Sequence, residues 1–263
     1  TTVQKFILQI NFQILNTNGR GGKQMRFKFK TDTLSRIAAV VSVIAVLCSS
    51  LFIESIAVSG AEKTKVWDGS SDTKFEGEGT KENPYKISSA EQLYGFSSNT
   101  SFTKENSENL YFVLTKDIFL NNIKDKNWLN NNPKEWASHG DTTWMYQGFA
   151  GHFDGQGHTI SGLKADAVVS GLFGYTKNAA IKNLTVAGSV GGGNCSTAVG
   201  GIVGYAVGGT IENCGNLCGG AVPGSSPGGG IVGFASNLSI TGCYNAGLVH
   251  KGGGSSGGGI GGK

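Results

Sequence analysis

Few residues in this chain have the types and spacing that chemistry requires. From Phe149 to Lys263 there are three carboxylates, Asp154, Asp166 and Glu212, and no arginine. Glycoside hydrolysis uses two carboxyl groups about 5 to 9 Å apart, and lyase chemistry a base beside calcium or a basic residue. Aligning the chain with itself assigns the three carboxylates to different columns, so no dyad is expected. Asp154 and His158, four apart, could act as acid, base or ligand. However, Gly155 and Gly157 between them mark a tight turn, in which Asp caps backbone groups and His packs at the edge. Gly257 and Gly262-Lys263 are spaced like a phosphate-binding loop but lack the strand, loop and helix setting such a loop needs. There is no HExxH, and the cysteine spacings do not suit zinc. No catalytic residue, metal or cofactor is expected, and the chain reads as non-enzymatic.

Two other sets of residues remain. Beyond residue 61 there are four cysteines, Cys195, Cys214, Cys218 and Cys243. Stacked Cys214 and Cys243 would have Cα atoms ~5 Å apart, inside the disulfide window. Side chains in one ladder point the same way, however, so free thiols acting as small buried hydrophobes are expected. Trp128, Trp136, Trp144 and Tyr146 lie in a polar stretch from Asn121 to Gln147. Exposed there, they would stack on sugar rings; the structural alternative is that they pack over the first coils.

The elements that would carry these residues come from a repeat. Gly171-Leu172-Phe173-Gly174-Tyr175 recurs as Gly201-Ile202-Val203-Gly204-Tyr205 and Gly230-Ile231-Val232-Gly233-Phe234, at offsets of 30 and 29, and Gly259-Ile260 opens a fourth copy. A second column keeps the same period: Ile181, Ile211 and Ile240, followed three places on by Leu184, Cys214 and Cys243. Fixed periods of this length signal stacked architectures. Glycines break the chain every few residues, which excludes helical repeats, since each interior Gly costs a helix roughly 1 kcal/mol. The absence of a strict three-residue glycine spacing excludes collagen. Ile181 and Leu184 are an odd number apart, so a straight strand would point them to opposite faces. Asn183, Asn213 and Gly242, the residues just before the Leu/Cys position, readily take a left-handed conformation. They predict a corner that returns both apolar residues to the interior.

The skew of composition divides the chain, with 33 of 43 glycines between Phe149 and Lys263. Residues 1–24 contain no Met and read as translated sequence upstream of a start at Met25, without ordered structure. From Met25 the basic stretch Arg26, Lys28, Lys30 and Arg36, the apolar run Ile37 to Ile53 and the small residues Ser59-Gly60-Ala61 read as a signal peptide over 25–61, cleaved after Ala61. A retained membrane anchor is the rival, because the run approaches the lower limit of about 17 residues for a span. Cleavage leaves 15 basic against 16 acidic residues, which removes the case for nucleic acid. Residues 62–148 read as an N-terminal cap and first coils with a polar, aromatic-containing loop. Residues 149–263 read as the repeat region, with copies at 171–200, 201–229 and 230–258 and a partial one at 259–263.

The repeat residues, above all Ile211-Glu212-Asn213-Cys214 and Cys243-Tyr244-Asn245, resemble the GLUG-motif repeats of large secreted and surface proteins of bacteria. Upstream, Trp67-Asp68-Gly69, Asn83-Pro84-Tyr85 with Ile87, Ala90-Glu91-Gln92-Leu93 and Asp154-Gly155-Gln156-Gly157-His158-Thr159-Ile160 are similar to the first coils of the same proteins. Where that family often carries W-x-P-I-G, this chain has Trp136-Ala137-Ser138-His139-Gly140, which implies a longer loop. The resemblance implies an all-β, right-handed parallel β-helix at the cell surface or secreted, acting as a structural or adhesive scaffold that presents a binding surface. Partners would be host or environmental glycans or proteins. The alternative is an accessory region of a secreted peptidase or polysaccharide-active enzyme. Locally, Ser88-x-x-Glu91 predicts a capping box that opens a short helix through Phe96 over the first coil, and Tyr111 to Leu120 predicts a strand.

Overall fold

The computed structural model describes residues 65–102, 106–137, 148–191, 197–222, 226–251 and 257–262. All of these belong to the unit Lys63–Lys263. The residues assigned to an upstream segment and a signal peptide, with its cleavage site, lie outside them, as do Trp144, Tyr146 and Cys195.

The chain coils into a β-solenoid in which each turn places short strands on successive parallel sheets. One sheet stacks β1 (Tyr85–Ile87), β2 (Tyr111–Leu114), β4 (His152–Asp154), β8 (Ala180–Lys182), β12 (Thr210–Glu212) and β17 (Ser239–Thr241). A second stacks β3 (Ile118–Phe119), β5 (Thr159–Ala165), β9 (Thr185–Val190), the pair β13 (Gly215–Asn216) and β14 (Gly219–Val222), and the pair β18 (Tyr244–Asn245) and β19 (Val249–Lys251). The remaining two sheets run β6 (Val169–Ser170), β10 (Ala198–Gly200), β15 (Gly228–Gly229), β20 (Gly257–Gly258), and β7 (Phe173–Lys177), β11 (Val203–Val207), β16 (Val232–Ser236).

The aligned columns are the observed ladders: Ile211 pairs with both Ile181 and Ile240, and Val203 with both Phe173 and Val232. The fourth copy continues them, since Ile231 N–H donates to Ile260 O at 2.9 Å and Gly261 bridges to Val232. Gly257 is therefore strand, not phosphate loop.

The corner has the expected geometry. Asn183, Asn213 and Gly242 have φ of 53°, 52° and 65°, and Ile181, Leu184, Ile211 and Cys214 are all at most 1% exposed. Asn tolerates this left-handed backbone because its short polar side chain finds local partners. Here those partners are the rungs themselves: Asn213 Nδ2 donates to Asn183 Oδ1, and Asn183 Nδ2 to Asp154 Oδ1.

Two local expectations shift. The helix, α1 (Ala90–Ser98), is capped by Ser89 rather than Ser88, its Oγ accepting from Gln92 N–H at 3.1 Å. Gln92 Oε1 reaches back to Ser88 N–H at 2.8 Å, so Gln92 takes the part assigned to Glu91, which instead pairs with Lys65. The segment 111–120 is not one strand; it turns a corner at Thr115–Asp117 between two sheets.

Candidate functional site: a polar cup beside the first coils

The stretch after β3 leaves the solenoid and returns within 16 residues, held at both ends. Asn121 is buried: its Nδ2 donates to Lys134 O and Gly162 O, while its Oδ1 accepts from Lys134 N–H at 2.8 Å. One side chain thus closes the loop as a backbone bridge would. Gly162, with φ of 80°, is required there, since a Cβ would lie 2.3 Å from the Asn121 backbone.

The second anchor is Trp136. Its backbone N–H donates to Lys164 O at 2.7 Å, and its indole N–H to Leu172 O at 3.0 Å. The ring packs against Trp67 and Tyr94 at 6.2 and 5.8 Å between centroids. At 3% exposure its face is closed to any sugar, so Trp136 leaves the set of stacking candidates and takes the structural role. A large apolar ring near the coil wall finds more favourable burial than exposure.

Between these anchors the loop carries a 3₁₀ turn, Trp128–Asn130, and forms a cup of about 230 Å³. Val66, Trp67, Asn121 and Asn122 line it, with Asp125, Trp128, Asn131, Asn132, Pro133 and Lys134 completing the wall. Trp128 is half-buried and lines the cup. The Asp125 carboxylate is oriented from both sides: Oδ1 accepts from Asn127 N–H at 2.8 Å and Oδ2 from Asn131 Nδ2 at 2.5 Å. Each oxygen keeps acceptor capacity for an incoming hydroxyl. The set combines an aromatic face, an oriented carboxylate, several amides and a lysine, which suits a neutral polyhydroxylated ligand better than an ion. Sequence reasoning found Trp128 but not Asp125, Asn131 or Lys134. The available signal was the asparagine pairs on either side of Trp128, read only as polarity.

The other candidates do not assemble. Asp154 accepts from Gln156 N–H, Asn183 Nδ2 and Lys182 Nζ, whereas His158 Nδ1 faces Asp117 Oδ1 at 3.2 Å. Burial would raise the Asp154 carboxyl, but those hydrogen bonds and Lys182 hold it below its usual value. The expectation of separate columns fails for two carboxylates: Asp154 and Glu212 occupy one outward ladder, with Lys182 paired between them. Asp154 belongs to a coil upstream of the aligned copies, so its register could not be read from them. Two rungs put their Cα atoms ~10 Å apart, and Lys182 lies on the rung between them with its Nζ 3.3 Å from Asp154 Oδ2. Among the described residues no group of three or more His, Cys, Asp or Glu could hold a metal, and no helix is long and apolar enough to cross a membrane.

No protein-family model matches the chain. The chain is 35% identical over 125 residues to "Halomucin" of Haloquadratum walsbyi, covering 46% of this chain and 1% of that protein. It is 30% identical over 160 residues to a "Putative Gly-rich membrane protein" of Evansella cellulosilytica, covering 59% of this chain and 16% of the relative. In fold it is similar to the crystal structure of a "putative immunoglobulin A1 protease" from Bacteroides ovatus, with a TM-score of 0.53 and 27% identity. That match covers 71% of this chain and 54% of the other. The chain thus spans a small fraction of the two relatives and about half of the solved structure.

Proposed function

We propose that this chain is a non-catalytic segment of a secreted or cell-surface bacterial protein, a β-solenoid scaffold that presents a glycan-binding cup beside its first coils. The observation that carries the reading is the loop closed by Asn121 and Trp136, which holds Trp128 and the oriented Asp125 on one concavity. Rigid placement matters because a weak sugar site gains affinity chiefly by having its groups already in position. The surface context is supported by similarity to halomucin and to the Gly-rich membrane protein.

The test is binding of the chain to an array of glycans, repeated with Trp128→Ala and Asp125→Asn. Loss of signal in both variants with unchanged circular dichroism is the expected result. A wild-type chain that binds no glycan, or variants that bind equally, would sink the idea.

A second reading is an accessory region of a secreted peptidase, favoured by the Bacteroides ovatus neighbour. It predicts that a longer natural form cleaves immunoglobulin A1 while this chain alone binds the antibody without cutting it.

A further inference from the structure

The described cysteines, Cys214, Cys218 and Cys243, are all free, but their surroundings differ. Cys218 is enclosed, and burial pushes its thiol up. Cys214 and Cys243 occupy equivalent places on adjacent coils, just before the register pair Gly215 and Tyr244. Cys214 is fully buried and Cys243 half-buried. The Cys214 backbone N–H donates to Cys243 Sγ at 3.4 Å.

The pair is asymmetric. The Cys214 thiol donates to Glu212 O at 3.3 Å, and the neighbouring Cys243 sulfur together with burial holds it well above the usual thiol range. Beside the Cys214 side chain and accepting the Cys214 backbone N–H, Cys243 lies below the usual range, with burial and Glu212 opposing. Thiolate, not thiol, is the nucleophile in exchange with disulfides. Equivalent positions on adjacent coils lie ~4.8 Å apart at Cα, within the range a disulfide spans; because ladder side chains point the same way, closing the bond requires one of the two to rotate toward the other.

We propose that Cys243 and Cys214 form a thiol–disulfide exchange site, at which a small disulfide is taken up by Cys243 and resolved by Cys214 into a cross-link between adjacent coils. In the first step the Cys243 thiolate attacks one sulfur of the small disulfide RSSR; the Cys243–SR bond forms and RS⁻ leaves. In the second, Cys214 loses its proton to RS⁻ and attacks Cys243 Sγ, expelling the second RS⁻, which takes a proton from solvent. Two protein thiols are oxidised to one disulfide, and RSSR is reduced to two RSH. The incoming disulfide meets Cys243 first because Cys214 is covered by its neighbours.

The test incubates the whole folded chain with hydroxyethyl disulfide, quenches with acid and maps each cysteine by mass spectrometry. The expected time course shows Cys243 reacting at least tenfold faster than Cys218, followed by linked Cys214 and Cys243 peptides. In Cys214→Ser the Cys243 adduct persists, and in Cys243→Ser Cys214 stays unmodified over the same period. The wild-type time course decides without relying on either variant's folding. Equal rates at Cys218 and Cys243, or a Cys243 adduct that is never resolved, would overturn the proposal.

Discussion

The coils beside α1 and the repeat coils solve one problem, filling the inside of a coil, with different material. Near α1 the interior is aromatic. Phe96 from the helix lies 4.7 Å from Phe112, 5.4 Å from Phe149 and 5.5 Å from Phe153 between ring centroids, mostly tilted or edge-on. In the repeat coils the interior is a set of like-on-like ladders: Ile181, Ile211 and Ile240 on one wall, and Leu184, Cys214 and Cys243 at the corner. A terminal coil has no identical neighbour on one side, so its core must be closed by shape-specific rings and a helix. An internal coil is closed by its copies, and repetition suffices.

The repeat coils also place an asparagine against a neighbouring glycine. Asn216 is 1% exposed and points inward, its Nδ2 donating to Asn245 Oδ1 at 2.8 Å and its Oδ1 accepting from Cys218 N–H at 3.0 Å. Opposite it stands Gly201, where a Cβ would lie 2.1 Å from Asn216 Oδ1; Gly230 meets Asn245 in the same way. In these two coils the leading glycine is therefore room made for the asparagine of its own coil, whereas Gly171 in the first copy faces backbone.

The sharpest way to break the comparison is Phe96→Ala. Removing the ring that packs against Phe102, Phe112, Phe149, Phe153 and Phe173 should cost about 3–5 kcal/mol, read as a fall in the denaturation midpoint, with the cap exposing its aromatics. If the loss were under 1 kcal/mol, the helix would be an ornament rather than a plug. Next comes Gly201→Ala, expected to cost about 1–3 kcal/mol by overpacking. Adding Asn216→Ala should recover part of that loss, and strictly additive effects would disprove the pairing of glycine with asparagine.

Smaller again is Asn213. Its left-handed φ makes Asn213→Ala cost about 1 kcal/mol, whereas Asn213→Gly should stay within a few tenths in thermal melts. A larger loss for glycine would place the value of Asn213 in its ladder bond rather than its backbone. The smallest effect concerns pH. Asp154 has its carboxyl lowered in the fold, so its contribution is present above the unfolded-state pKa and is lost as pH falls through the folded one. Melts between pH 7 and pH 3 should therefore drop slightly more for wild type than for Asp154→Asn; identical slopes would remove Asp154 from the acid response.

What was legible in the sequence was whatever the repeat makes periodic. The Ile and Leu/Cys columns, the Asn/Gly corner and the start of a fourth copy follow from spacing alone, because stacking forces like residues into register. The cap was legible only in outline. Its helix cap was foreseen one residue out of phase, because a serine pair offers two caps and spacing does not choose between them. The long strand over 111–120 was missed as a corner, since its residues do not repeat.

The candidate site depended still more on tertiary structure. Sequence offered four aromatic residues in a polar stretch; two lie outside the described residues, and packing separates the other two. Trp136 finds Leu172 O and the Trp67 and Tyr94 rings, and is consumed by the fold. Trp128, only eight residues earlier, is half-buried and lines the cup of the loop that Asn121 closes. The sequence alone determines the coil, because a ladder depends on the residue one period away. Which tryptophan is buried and which faces a cup depends on contacts with no period, and only the folded chain decides them.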